Sequence, residues 1–114
     1  MPSSDPTQRF LDILQNIERI ERYTADVDAT VFVDGGQTRD AVERCLERIC
    51  EAAKKLGPVA EALCPDNPWP QIRGLGNFLR HEYDRIEGER LWYLVERDLP
   101  PLRTAVIAAL ESLR

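Results

Sequence analysis

Hydrophobic residues recur at helical spacing along most of this chain. Phe10, Ile13, Leu14, Ile17 and Ile20 step by three or four, while Asp12, Glu18, Arg19 and Arg22 take the opposite face, which predicts an amphipathic helix. Asp5 as cap, Pro6 in the first turn and Gln8 three residues after the cap place its start at Pro6 and its end near Tyr23. A second stripe, Val42, Cys45, Leu46, Ile49, Ala53 and Leu56, predicts a long helix from near Thr38 that Gly57-Pro58 stops. A short helix from Pro58 to about Cys64 ends at the turn PDNP. Asn67 and Pro68 repeat the cap-plus-proline opening and predict one helix through WPQIRGLGNFLRHEYDRI, apolar on Trp69, Ile72, Leu75, Leu79, Tyr83 and Ile86. After Gly88 the period continues through Leu91, Leu94, Val95 and Leu99. Prolines cost about 3 kcal/mol inside a helix, so Asp98 is expected to cap a last helix that takes Pro100 and Pro101 in its first turn and reaches about Leu113.

Residues 27–34, VDATVFVD, depart from this pattern. Val27, Ala29, Val31 and Val33 alternate with polar residues except at Phe32, and Asp34-Gly35-Gly36 looks like a turn. Alone the segment reads as a strand. No second strand pattern exists to pair with it, and a solitary strand leaves its backbone groups unsatisfied. An irregular or short helical packing segment is therefore expected. The fold class is all-α, an up-and-down bundle of about four to five main helices in a single domain spanning residues 1–114.

Composition narrows the function classes. At 43% apolar and 31% charged, the 114 residues suit one globular domain. No run approaches the roughly 18 apolar residues of a membrane span, and MPSSDPTQRF does not read as a signal peptide. The net charge of −5 argues against coating nucleic acid by bulk charge, but leaves room for a local basic site. Up to Asn67 there are 13 acids against 8 bases, and from Pro68 onward 7 against 7. Thirteen of the 15 bases are Arg, whose planar fork suits phosphate better than a lysine point charge; a genome rich in Arg codons explains the same bias without any function. Cys45, Cys50 and Cys64 form no CxxC pair, and with one His in the chain no zinc set is credible. They are expected as small buried apolar residues in a reducing cytoplasm. No metal and no cofactor is implied.

Candidate chemistry concentrates between Trp69 and Glu87. Gly74 and Gly76 weaken a helix there, each by up to about 1 kcal/mol, and are expected to thin it where another helix, of this chain or of a second subunit, approaches. Arg73, Asn77 and His81 are four apart and would share one face, with Arg80 and Tyr83 close to His81. His with Arg in reach is the minimum kit for metal-free phosphodiester cleavage. The imidazole moves the 2′-hydroxyl proton and the guanidinium stabilises the phosphorane-like transition state. A solvated His beside Glu82 is the plain alternative.

NPWPQIRGLGNFLRHEYDRI resembles the signature of HepT-like proteins of the HEPN superfamily: Pro-Trp, a Gly-hydrophobic-Arg-Asn turn, then His-x-Tyr. RFLDILQNIERIERYT, AVERCLERICEAAKKLG and LWYLVERDLPPL agree in order, so the resemblance spans about residues 7–113. It implies a helical homodimer that cuts RNA without metal as a toxin, paired with a minimal nucleotidyltransferase antitoxin. His81 then takes the catalytic His position, Asn77 the polar position after the Arg, and Tyr83 the Tyr that some such antitoxins adenylylate. The family's Arg position is Gly76 here. Arg73 is the first expected substitute and Arg80 the second. Three readings follow: an RNA-cleaving toxin; a catalytically weak dimer that binds, and is modified by, a nucleotidyltransferase; or an unrelated helical adaptor.

Overall fold

The computed structural model describes residues 5–76 and 85–114. Its elements are α1 (Pro6–Thr24), α2 (Ala29–Val33), α3 (Gln37–Leu56), α4 (Pro58–Leu63), α5 (Trp69–Arg73), α6 (Arg85–Tyr93), a π-helical turn (Leu94–Asp98) and α7 (Leu99–Ser112). No strand occurs among the described residues, so the all-α expectation holds. None of these helices is long and apolar enough to cross a membrane.

α1 and α3 pack along each other, α7 lies on α1, and α5 lies on α3. Phe10, Ile13, Ile17 and Ile20 of α1 are fully buried, as are Val42, Leu46 and Ile49 of α3. Each such side chain contributes about 1.5–3 kcal/mol by leaving water. All three cysteines are free and buried among these residues. Burial pushes the thiols of Cys45 and Cys64 above their usual value. At Cys45 it outweighs the nearby cations Arg48, Arg19 and Arg22.

Local chemistry explains where the elements begin and end, and where expectation fails. The Asp5 carboxylate accepts from the Thr7 N–H at 3.0 Å and caps α1 as expected, but Gln8 donates to Asp12 instead of closing a capping box. Residues 29–33 form a helix, capped by the Asp28 carboxylate on the Thr30 N–H at 2.7 Å. A helix satisfies its own backbone, which a lone strand cannot do. It also buries Phe32 fully. α3 starts at Gln37 behind Gly36, whose φ of 99° favours glycine.

Two expectations are corrected. The predicted continuous helix over WPQIRGLGNFLRHEYDRI breaks at Gly74, where φ −82° and ψ −7° turn the N–H back onto the Pro70 and Gln71 carbonyls. Its start is also different, because Pro68 holds the cap position and no side chain caps it. Asp98, in turn, has helical angles and makes no side-chain cap bond. The helix runs on through the π turn, in which the Leu99 N–H donates to the Leu94 carbonyl. Pro100 and Pro101 lack the N–H groups that the Glu96 and Arg97 carbonyls would receive in an α-ladder, so the ladder widens just ahead of them.

α6 lies against the end of α2 because of one glycine. A Cβ on Gly88 would run into the Val33 carbonyl and come within 2.8 Å of the Arg39 guanidinium. Arg39, 5% exposed, donates to that same carbonyl at 3.0 Å and pairs with Glu43 at 3.1 Å. Phe32 and Trp92 complete the junction, ring centroids 5.1 Å apart at 52°. Gly88→Ala is expected to destabilise the fold by about 1–3 kcal/mol in urea unfolding, because α6 must lift off α2. Gly74→Ala is the contrast. Among the described residues its Cβ would meet only Gln71 and Pro70 carbonyl oxygens at 3.5 Å, so a gain of about 0.4–1 kcal/mol is expected.

Candidate active site

The framework that leads into the candidate segment is built from Trp69 and Arg73. Trp69 is fully buried, and its indole N–H donates to the Cys64 carbonyl at 2.9 Å. One side chain thus fills the core and ties α5 back to the end of α4 across the PDNP turn, with its polar edge satisfied.

Arg73 carries more of the local structure than any other polar residue described. Its guanidinium forms a two-pronged pair with Glu61 of α4, Nη1 to Oε2 at 2.8 Å and Nη2 to Oε1 at 2.7 Å. Nη2 also donates to the Gly57 carbonyl at 2.9 Å and Nε to the Ala53 carbonyl at 3.3 Å. Those carbonyls lie at the C-terminus of α3, where a cation is favoured; each also accepts a backbone N–H, Ala53 from Gly57 at 3.3 Å and Gly57 from Ala60 at 3.1 Å. The Arg73 carbonyl in turn accepts from the Cys50 thiol at 3.1 Å. The Arg73 guanidinium holds the Glu61 carboxyl below the usual range.

Asn77, Arg80, His81 and Tyr83 lie outside the described residues. The break at Gly74 removes the continuous helix on which a shared face of Arg73, Asn77 and His81 depended. Within this chain a Cβ on Gly74 would meet, among the described residues, only the Gln71 and Pro70 carbonyl oxygens, so no described helix of the same chain packs against it. Gly76, the residue before Asn77, is buried in the wall of a groove between α1 and α3. The groove encloses about 530 Å³ and is lined mostly by charged side chains.

The sequence reading missed Glu61 as the partner of Arg73. Glu61 is the one charged residue between Lys55 and Asp66, and a single acid in an apolar stretch is a fair signal for a cation elsewhere. The groove was missed as well, although Arg44, Arg48 and Lys55 recur at helical spacing on one side of α3.

Residues 13–109 match the protein family described as ribonuclease HepT-like. The chain is 32% identical to "Putative RNase MJ1380" of Methanocaldococcus jannaschii over 106 residues, 93% of this chain and 97% of the relative. It is 34% identical to "Probable ribonuclease HepT" of Thermococcus cleftensis over 92 residues, 81% and 84% of the two chains. A third relative, "Putative RNase TTE0752" of Caldanaerobacter subterraneus subsp. tengcongensis, is 28% identical over 100 residues, covering 88% and 89%. No solved structure matches the chain.

Removing the Arg73 guanidinium tests its structural role. Arg73→Ala removes the two-pronged pair with Glu61 and one of the two donors to each of the Ala53 and Gly57 carbonyls, and a loss of about 1–3 kcal/mol is expected in urea unfolding. Arg73→Lys should restore only part, because an ammonium cannot make the two-pronged pair. The Glu61 carboxyl is lowered on folding, so its pairing stabilises fully above the ordinary pKa of 4.5. That contribution is lost as pH falls through the lowered folded value. The stability gap between wild type and Arg73→Ala should therefore narrow on acidification, as read from urea midpoints across an acid pH series.

Proposed function

The chain belongs to the ribonuclease HepT-like family, and on that premise we propose that it cleaves RNA without a metal ion, with His81 as the proton-transfer group. The observation that carries this reading is the family match over residues 13–109, a span that contains the chain's one histidine. In the proposed reaction His81 takes the proton of an RNA 2′-hydroxyl, whose oxygen attacks the adjacent phosphorus. The bond to the 5′-oxygen breaks, that oxygen leaves as a hydroxyl after protonation, and a 2′,3′-cyclic phosphate remains.

The arginine assignment follows from the ion pairing. Arg73 is engaged by Glu61 and two carbonyls, so Arg80 becomes the first choice for stabilising the phosphorane. Arg73 then acts by holding the segment's root, and Asn77 is the polar partner beside the reacting groups. We propose further that the protein is a homodimer and the toxin of a pair whose antitoxin is a minimal nucleotidyltransferase. Gly76 in the family's Arg position supports a second reading, in which a catalytically weak dimer is bound by that partner and adenylylated on Tyr83.

His81→Ala should lower cleavage of an RNA oligonucleotide by about 10²–10⁴-fold while leaving the far-UV helix signal unchanged. Arg80→Ala should lower it far more than Arg73→Ala, once both are compared at temperatures where each is folded. Cleavage by wild type should persist in EDTA. Undiminished cleavage by His81→Ala would remove the histidine from the mechanism, and no cleavage by wild type would favour the second reading. Sedimentation of wild type as a monomer at micromolar concentration would remove the homodimer.

A further inference from the structure

The α1–α3 groove collects charge against the trend of the chain. Among the described residues its walls carry six Lys and Arg residues but only three Asp and Glu residues. The described walls are thus positive by three in a chain of net charge −5. Three of its cations are matched by acids one helical turn away: Arg9 by Asp12 at 3.1 Å, Arg44 by Glu47 at 3.1 Å, and Lys54 by Glu51 at 3.8 Å. The other three, Arg19, Arg48 and Lys55, are exposed and have no carboxylate partner among the described residues. The excess charge therefore belongs to these three.

A second observation points to a ligand that also donates a hydrogen bond. Asn16 lines the same groove and is 6% exposed. Its amide nitrogen donates to the Asp12 carbonyl at 2.8 Å, which fixes the side chain's orientation. Its Oδ1 is buried without a hydrogen-bond partner. A buried acceptor left unmatched costs about 1–3 kcal/mol, a cost that a donor seated in the groove would offset. A phosphodiester cannot donate, whereas the 2′-hydroxyl of RNA can.

We propose that this groove is the seat of single-stranded RNA, its phosphates on Arg19, Arg48 and Lys55 and a 2′-hydroxyl donating to Asn16 Oδ1. The ligand's identity rests on the RNA-cleaving reading above. The furrow encloses about 530 Å³, room for part of one strand and not for a duplex. Arg9 and Arg19 are ten residues apart on α1, about 15 Å of helix, long enough for several consecutive phosphates. No aromatic side chain lines the furrow among the described residues, so binding should depend on backbone and salt and tolerate any base order. Gly76 stands in the wall, so the strand would lie where the Asn77–His81 stretch of sequence begins.

The test measures binding apart from cleavage. Fluorescence anisotropy of a labelled 12-nucleotide RNA, and of DNA of the same sequence, is followed across a salt series in the full-length His81→Ala background. Oligonucleotide integrity is checked on a gel. Combined Arg19→Gln, Arg48→Gln and Lys55→Gln should weaken RNA binding at least tenfold at low salt. It should also flatten the log–log salt slope by about 2, at roughly 0.7 per phosphate contact. Asn16→Leu should leave the slope alone and abolish the preference for RNA over DNA. Arg97→Gln with Arg114→Gln, outside the groove, should change neither. In otherwise wild-type protein the groove triple should raise KM for cleavage and spare kcat.

An unchanged slope and affinity in the groove triple would overturn the proposal, as would absence of RNA binding by the parent. So would loss of self-association in sedimentation with RNA affinity intact, since the groove would then face a second copy. If the triple fails to fold, the single variants Arg19→Gln and Lys55→Gln, both at exposed sites, should each flatten the slope by about 0.7, and no change in either would overturn it. RNA binding without any wild-type cleavage would sink the catalytic reading and leave the groove standing. Cleavage with an unaltered salt slope in the variants would do the reverse.

Discussion

The Arg73 guanidinium is the constraint on which the rest of the candidate site depends. Three helices end or begin within its reach. It closes the C-terminus of α3 through the Ala53 and Gly57 carbonyls, grips α4 through Glu61, and is itself the last residue of α5. The carbonyl end of a helix favours a cation, and a fixed planar fork can meet two carbonyls and a carboxylate together where an ammonium cannot. Trp69 works from the other end of α5, burying its ring and returning its N–H to Cys64. With both ends of a five-residue helix tied down, the chain reaches Gly74 in a fixed place and direction.

Most of the helical scaffold was legible because its signals are local. The α1 and α3 stripes, the Asp5 cap and the Gly57-Pro58 stop are each decided by residues within a turn or two. Even α2 was accessible by elimination, because an unpaired strand is untenable. The two misread junctions share a different character. At Gly74 the hydrophobic period of Trp69, Ile72 and Leu75 continues across the break, so periodicity cannot report it. At Asp98 the polar residue before two prolines imitates a cap, while the prolines change the ladder behind them and leave the chain helical. Both outcomes turn on backbone hydrogen bonds that side-chain patterns describe only indirectly.

The candidate site was legible in its residue types and illegible in its pairings. His81, Asn77, Arg80 and Tyr83 came from a motif, which names residues without placing them. Arg73 came from spacing along an assumed continuous helix, and its true partner lies 12 residues earlier on α4. Net charge misled in a related way. The acidic half of the chain, up to Asn67, contains every cation among the described residues of the α1–α3 groove. Summation over sequence averages away what helical spacing gathers: six of the eight cations before Pro68 line this side of α1 and α3, with three of the 13 acids. A bulk charge of −5 therefore excludes a nonspecific coat while leaving a positive furrow intact.

The break at Gly74 separates two tasks that a continuous helix would have joined. Before it, Arg73 faces the α3–α4 corner and works on the fold. After it, Gly76 lines the α1–α3 furrow. Gly76 itself brings no charge to that wall, and the wall's described cations all come from α1 and α3. On that view the arginine still required by the proposed chemistry belongs after Gly76 in the chain, because the one before it, Arg73, cannot let go of Glu61 without undoing the corner that positions the segment.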